Sequence, residues 1–272
     1  MREVLFMVLF FISISLFSIY LGALTKKAIE KGEVKPVFEN PSDITNSFYM
    51  LLLIIVGTVL VLLFVKVKLE LVKLLENLAV FLLTTTTFSY FLPIIPSFII
   101  ALSLIIFSEL KPSFLLKNIC IFFSIPSAAA IIGASLDFKV LLIFFLILAL
   151  YDIISVFVTK HMVYLAEKLV NKPTAFISVF TTKKIRKIDF GNGKRKLNII
   201  ALGAGDYFIS ASLSVSLLSL SIKHSFLNAI FNSIALLLLF YILTKRGISK
   251  PLPAIPFLFI SSLLAVFISF YL

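Results

Sequence analysis

Nine separate stretches of this 272-residue chain are apolar over lengths that match the hydrocarbon core of a bilayer. A helix needs about 17 to 25 residues for that crossing, and in lipid an isolated segment must satisfy its own backbone, which only a helix does. The stretches run from 4 to 24, 47 to 65, 74 to 91, 93 to 109, 118 to 136, 140 to 158, 197 to 220, 225 to 243 and 252 to 271. The composition agrees: 61% of residues are hydrophobic and 14% charged, against roughly a quarter charged in soluble domains. A water-soluble globular protein is excluded. The expected fold is an all-α polytopic membrane protein of nine transmembrane helices, forming one membrane domain over 1–272. Within it, 1–158 carries helices one to six, 159–196 a loop, and 197–272 helices seven to nine.

Two boundaries carry alternatives. Pro93 and Pro96 interrupt the helical hydrogen bonds between the third and fourth spans, where a single kinked helix is the other reading. The first stretch follows Arg2 and has small residues at Gly22 and Ala23, as a cleaved signal would, but its apolar core exceeds the usual length of about 7 to 15 residues. It is retained as a span.

Orientation follows from Lys and Arg, which concentrate on the cytoplasmic side of membrane proteins. With the N-terminus inside, 19 of the 25 basic residues fall on the cytoplasmic side and 6 on the other. This count puts the N-terminus in the cytoplasm, the C-terminus outside and the 159–196 loop inside. The formal charge of +12 is therefore assigned to membrane flanks rather than to nucleic acid.

Eleven of the 13 acidic residues lie in loops or near expected helix ends; Asp152 and Asp206 fall within the sixth and seventh spans. Each mid-membrane Asp costs about 2.5 to 3.5 kcal/mol to insert, so such residues are functional candidates. Asp152 precedes Lys160 by eight residues and Asp206 follows Lys196 by ten, giving depths of about 12 and 15 Å at 1.5 Å per residue. Consecutive antiparallel helices can thus set both carboxyls beside one cavity.

Two carboxylates a few Å apart cannot both ionise cheaply, so such a pair shares a proton near neutral or mildly acid pH. One then takes a proton from water while the other donates to an amide carbonyl, as in an aspartic protease. Either can be acid or base. Gly203-Ala204-Gly205 removes side chains beside Asp206, and Ser210 and Ser214 continue that helix face, although small-residue stripes also serve plain helix packing. Pro251, Pro253 and Pro256 at the entrance of the ninth span prevent regular helix and free backbone groups for hydrogen bonding, or simply start the helix.

Tyr151-Asp152 on span six, Gly203-Ala204-Gly205-Asp206 on span seven and Pro253-Ala254-Ile255-Pro256 on span nine together resemble the presenilin and signal peptide peptidase family of intramembrane aspartyl proteases. A GxGD tetrapeptide alone is a weak signal; the ordered combination is specific. The resemblance implies a presenilin-like fold with Asp152 and Asp206 as the catalytic pair. Tyr151, Gly203, Ala204 and Gly205 would support the site, and Pro253, Ala254, Ile255 and Pro256 would receive substrate. Ile255 stands where the family usually has leucine, a change of similar volume. Within the family, the basic-residue count matches the presenilin orientation, which favours substrates with their N-terminus outside. Prepilin peptidases share GxGD but have fewer spans and lack the proline motif.

The loop exceeds the lengths typical of plain connections. Residues 161–170 are expected to extend helix six until Asn171 and Pro173, and 176–180 is a short apolar run. Residues 185–190, a Gly191-Asn192-Gly193 turn and 194–199 read as a β-hairpin. Its strand Lys196, Leu197, Asn198 and Ile199 is expected to pair with an unwound substrate, since proteolysis requires an extended, accessible peptide bond. A hybrid sheet of this kind is what the presenilin resemblance implies. A basic loop drawn to anionic lipid is the plainer reading.

Other chemistries lack their parts. Cys120 has no partner for a disulfide, and the two histidines, His161 and His224, lie at loop edges outside any H-E-x-x-H motif. No metal or organic cofactor is expected. The rival from another class is a secondary transporter or channel using Asp152 and Asp206 for protons or cations, which explains the acids but not the motif combination. A non-catalytic protein on the same fold is a third reading. Animal presenilins work with partner subunits; here no docking motif is identifiable, so the expected partners are transmembrane peptides and the lipid bilayer.

Overall fold

The computed structural model of the chain describes residues 2–162, 164, 173–181, 199–246 and 252–271. These residues form α1 (Arg2–Glu30), α2 (Thr45–Val67), α3 (Leu69–Ser89), α4 (Ile94–Leu110), α5 (Phe114–Ser135) and α6 (Phe138–Ile153), which continues as a π turn over Ile154–Val158. Strands β1 (Ile177–Thr181) and β2 (Ile199–Gly203) follow. Helices α7 (Ala204–Ser216), α8 (Ile222–Arg246) and α9 (Ile255–Tyr271) complete the described fold. Among the described residues, six helices are long and apolar enough to cross a membrane, while α4 and α9 are apolar but only 17 residues each.

Local chemistry explains most boundaries. Pro93 precedes α4, so the third and fourth stretches are separate helices rather than one kinked one. Ser113 Oγ accepts from Leu116 N–H at 3.2 Å to cap α5, and Asp137 Oδ1 accepts from Lys139 N–H at 2.9 Å to cap α6. Helix α3 begins at Leu69, earlier than the apolar pattern suggests, because Lys68 in extended conformation already breaks it from α2. That moves Glu76 from a helix end to the second turn and beyond.

The seventh stretch departs most from expectation. Its first residues, Ile199 to Gly203, are a strand, and helix begins only at Ala204 and ends at Ser216. A short apolar run fits a buried strand as well as a helix, and periodicity alone does not separate them. Asp206 consequently sits in the first turn of a 13-residue helix rather than at the middle of a long span. Among the described residues the sheet is two-stranded and antiparallel, with Val179 opposite Ala201. Of the expected hairpin, Ile199 opens β2, whereas 185–190, the Gly191-Asn192-Gly193 turn and 194–198 lie outside the described residues; the strand facing β2 is β1, which overlaps the apolar run 176–180. Helix six does not run on smoothly either: after the π turn, Lys160 adopts a left-handed conformation at φ 56°, and helix resumes at His161 and Met162. Residues 165–172 lie outside the described set.

Helix α7 occupies the centre, packed by α1, α5, α6, α8 and α9. Every residue from Ile209 to Ser216 is buried. Close approach is made possible by two glycines on neighbouring helices. A Cβ at Gly22 would lie 2.3 Å from Val215 Cγ1, and one at Gly133 would lie 2.4 Å from the Ser212 carbonyl oxygen. The interior also carries polar groups that bond one another, as burial in lipid requires. Asn232 Nδ2 donates to Ser210 Oγ at 2.8 Å and Ser262 Oγ at 3.0 Å, Asn228 Nδ2 donates to Ser214 Oγ at 2.8 Å, and Ser261 donates to the Asn232 amide oxygen. These bonds tie α7, α8 and α9 together. The Ser210 and Ser214 face is therefore a packing face between helices.

Candidate active site

Asp152 stands at the last turn of α6 and is partly buried. Its Oδ2 accepts from the backbone N–H of Ile255 at 3.3 Å, joining it to the first residue of α9. Pro253 and Pro256 bracket that donor. The first N–H groups of any helix lack intrahelical partners, and here the orphan at Ile255 is met by a carboxylate from another helix. Pro253, Ala254 and Ile255 are buried, and Pro256 is partly so. The proline segment thus frees a backbone donor, as its sequence suggests, and aims that donor at Asp152.

Asp206, in the first turn of α7, meets the start of its own helix in a similar way. Gly203, in extended conformation, precedes the first turn of α7, and Asp206 Oδ2 accepts its N–H at 3.2 Å. A Cβ at Gly203 would come within 3.2 Å of that oxygen, so the glycine makes room for the carboxylate. Gly205 has a different role: it is exposed, and a Cβ there would meet nothing within 4 Å. Helices α6 and α7 pack against each other and α9 packs against both, so the two aspartates stand on adjoining helices. Each carboxylate therefore sits at a helix N-terminus, one by its own sequence and one by docking.

The sheet leads into this point. Ala204 N–H donates to the Phe176 carbonyl at 2.8 Å, carrying the ladder to the residue that starts α7. Beside it, Tyr207 is fully buried; its hydroxyl lies 2.7 Å from Ser178 Oγ, which donates to the Leu202 carbonyl at 3.1 Å. The strand, the glycine turn and Asp206 are one continuous unit.

Tyr151, adjacent to Asp152, turns to another partner. Its hydroxyl lies 3.0 Å from His161 Nε2, whose Nδ1 lies 2.6 Å from Thr159 Oγ1, so it ties the end of α6 to the restart of helix after Lys160. Lys196, Leu197 and Asn198 lie outside the described residues.

A second polar centre escapes the sequence reading. Glu76 on α3 is buried at 4% exposure, and its carboxylate is held at 2.8 Å by Lys117 Nζ on α5, which also reaches Glu109 of α4 at 2.8 Å. Glu76 accepts from Thr174 Oγ1 at 2.5 Å and from Ala175 N–H at 2.9 Å, just before β1. Next to Lys117, Asn118 donates to the Val179 carbonyl at 3.0 Å and accepts from Val179 N–H at 3.2 Å. The available signal was the pair Lys117-Asn118 at the edge of an apolar stretch, 41 residues from Glu76.

Two carboxyls, a turn that leaves their surroundings open at Gly205, and a strand running up to one of them suit water-dependent attack on an extended peptide. The comparisons with known proteins agree. Two solved structures, each described as a presenilin family intramembrane aspartate protease, share this fold. One, in space group C222, superposes with a TM-score of 0.69 at 18% identity, covering 98% of both chains. The other, in space group P2, gives 0.65 at 18% identity, covering 96% of both. No curated protein sequence matches the chain. The family model for signal-peptide peptidase and presenilin aspartyl proteases matches residues 7–272, and the chain belongs to that family of integral, multi-pass membrane proteases.

Proposed function

We propose that the chain hydrolyses peptide bonds within transmembrane helices, with Asp152 and Asp206 as the catalytic pair. The observation that carries this reading is that α6 and α7 pack together and each of their aspartates holds a backbone N–H at a helix start, Asp206 that of Gly203 and Asp152 that of Ile255 in the proline segment. One carboxylate removes a proton from water as it attacks the scissile carbonyl carbon, while the other, protonated, donates to the carbonyl oxygen. The proton then returns to the leaving nitrogen as the C–N bond breaks. No covalent intermediate forms.

The substrate arrives as an unwound segment beside the sheet, received by Pro253, Ala254, Ile255 and Pro256, with the strand opening at Ile199 as its template. Gly205, bare of a side chain, leaves space for it. The nine described helices are read as nine membrane spans, the short α7 being completed across the bilayer by β2 and the turn after Ser216. The 19 to 6 distribution of basic residues supports a cytoplasmic N-terminus, an outer C-terminus and substrates with their N-terminus outside. The chain acts without an obligatory protein partner. A transporter using the same aspartates accounts for neither the strand beside Asp206 nor the donor aimed at Asp152.

The experiment is cleavage by the purified chain in liposomes of single-span reporters inserted in either orientation. N-out reporters are expected to be cut and N-in reporters to be spared. Persistence of every reporter across several sequences would contradict the proteolytic reading; equal cutting of both orientations would contradict the substrate orientation alone.

A further inference from the structure

Among the described residues the small sheet has two edges, and they are not equivalent. In an antiparallel pair, successive residues point their N–H and C=O groups alternately toward and away from the partner strand. Because Ala204 N–H bonds the Phe176 carbonyl, the backbone groups of Ser178 and Phe180 face β2, and those of Val179 face outward. Both outward groups of Val179 are taken by the single side-chain amide of Asn118, donor to acceptor and acceptor to donor. An amide in this geometry imitates a neighbouring strand and closes the edge of β1.

On β2 the same alternation turns the backbone groups of Ala201 and Gly203 away from β1. The Gly203 N–H is bonded by Asp206. Among the described residues, Ala201 therefore presents the edge that leads directly to the aspartate, two residues along the strand from Gly203. The position of that edge is set from the far side of the sheet: Glu76, locked by Lys117, grips Thr174 and Ala175 where β1 begins, and Phe176 N–H is bonded in turn by Thr174 Oγ1 at 3.2 Å.

We infer that Asn118 and the Glu76–Lys117–Glu109 ion network are positioning residues for cleavage: they clamp β1 in register, close its outer edge and direct an extended substrate onto β2 at Ala201. None of them touches the reacting atoms. Their effect passes through β1 to β2, and from β2 to the distance along the strand at which a substrate bond meets Asp206. The inference rests on the proteolytic reading above. Its signature is a change in where the substrate is cut, which a merely structural role would not produce.

The test uses the full chain in liposomes with an N-out reporter, reading product masses together with kcat and KM. Asn118→Leu keeps the approximate volume and removes both bonds to Val179. Products are expected to spread to neighbouring peptide bonds, with KM raised about tenfold, the loss corresponding to two hydrogen bonds. Asn118→Asp, which keeps an acceptor for Val179 N–H, is expected to restore part of the original pattern. If Asn118→Leu does not fold, Thr174→Val, which removes one bond to Glu76, is read by the same criteria. An unchanged product pattern and KM in a folded variant overturns the clamp while leaving proteolysis intact. Failure of the wild type to cut any reporter overturns the proteolytic reading, and the clamp with it.

Discussion

Helices α2 and α7 are both read from sequence as membrane spans, yet they live in opposite environments. Residues 48–65 of helix α2 are apolar apart from Gly57 and Thr58 and are mostly not buried; Leu52, Leu53, Val56, Val59 and Leu63 face outward. Helix α7 carries Ser210, Ser212, Ser214 and Ser216, all fully buried, and is enclosed by five other helices. In a soluble protein the more apolar helix would be the central one. In a bilayer the hydrocarbon already solvates the apolar wall, so the interior is selected for close approach and hydrogen bonding.

That contrast can be broken at graded positions. The largest effect is expected inside the polar interior, from Lys117→Met, which leaves Glu76 buried beside Glu109 without its cation. A loss of about 3 to 5 kcal/mol follows from removing one partner of a buried ion pair, read as a fall in thermal stability in lipid. A change within about 0.5 kcal/mol would mean that the network is solvated like a surface pair.

Next comes Gly133→Ala, whose new methyl meets the Ser212 carbonyl on α7. Overpacking of this kind costs about 1 to 3 kcal/mol. Asn232→Ala removes the bonds to Ser210, Ser261 and Ser262 and should cost about 1 to 2 kcal/mol, since membrane hydrogen bonds are individually modest. Thermal unfolding of the three variants in one lipid mixture ranks them. At the other extreme is Gly57→Ala on α2, where a Cβ meets nothing within 4 Å. It should leave stability unchanged or raise it by up to about 1 kcal/mol through helix propensity. If Gly57→Ala proves as costly as Gly133→Ala, α2 is packed by something other than lipid and the contrast fails.

The parts legible in the sequence were those encoded by contiguous residues. Apolar length located the described helices, and Pro93 separated α3 from α4. Tyr151-Asp152, the GxGD turn and the proline segment at 253–256 could be singled out as a candidate site because each is a local signature. What was not legible depends on partners distant in sequence. The strand Ile199–Gly203 looks like helix because an apolar run in a membrane protein defaults to one; its pairing with Ile177–Thr181 is what makes it a strand. The Glu76–Lys117 pair reads as two unrelated flanking charges until α3 and α5 are placed side by side. The hydrogen bond from Ile255 to Asp152 spans 103 residues, so the proline segment announced a free donor without naming its acceptor.

The most direct test of the central claim is cleavage of one N-out transmembrane reporter by the purified chain in liposomes, compared with Asp152→Asn and Asp206→Asn. Both substitutions preserve size and the hydrogen-bond acceptors used by Ile255 and Gly203, so folding should persist. Wild-type cleavage with none above background in either variant is the predicted result. Cleavage by either variant at the wild-type rate would contradict the paired-aspartate mechanism.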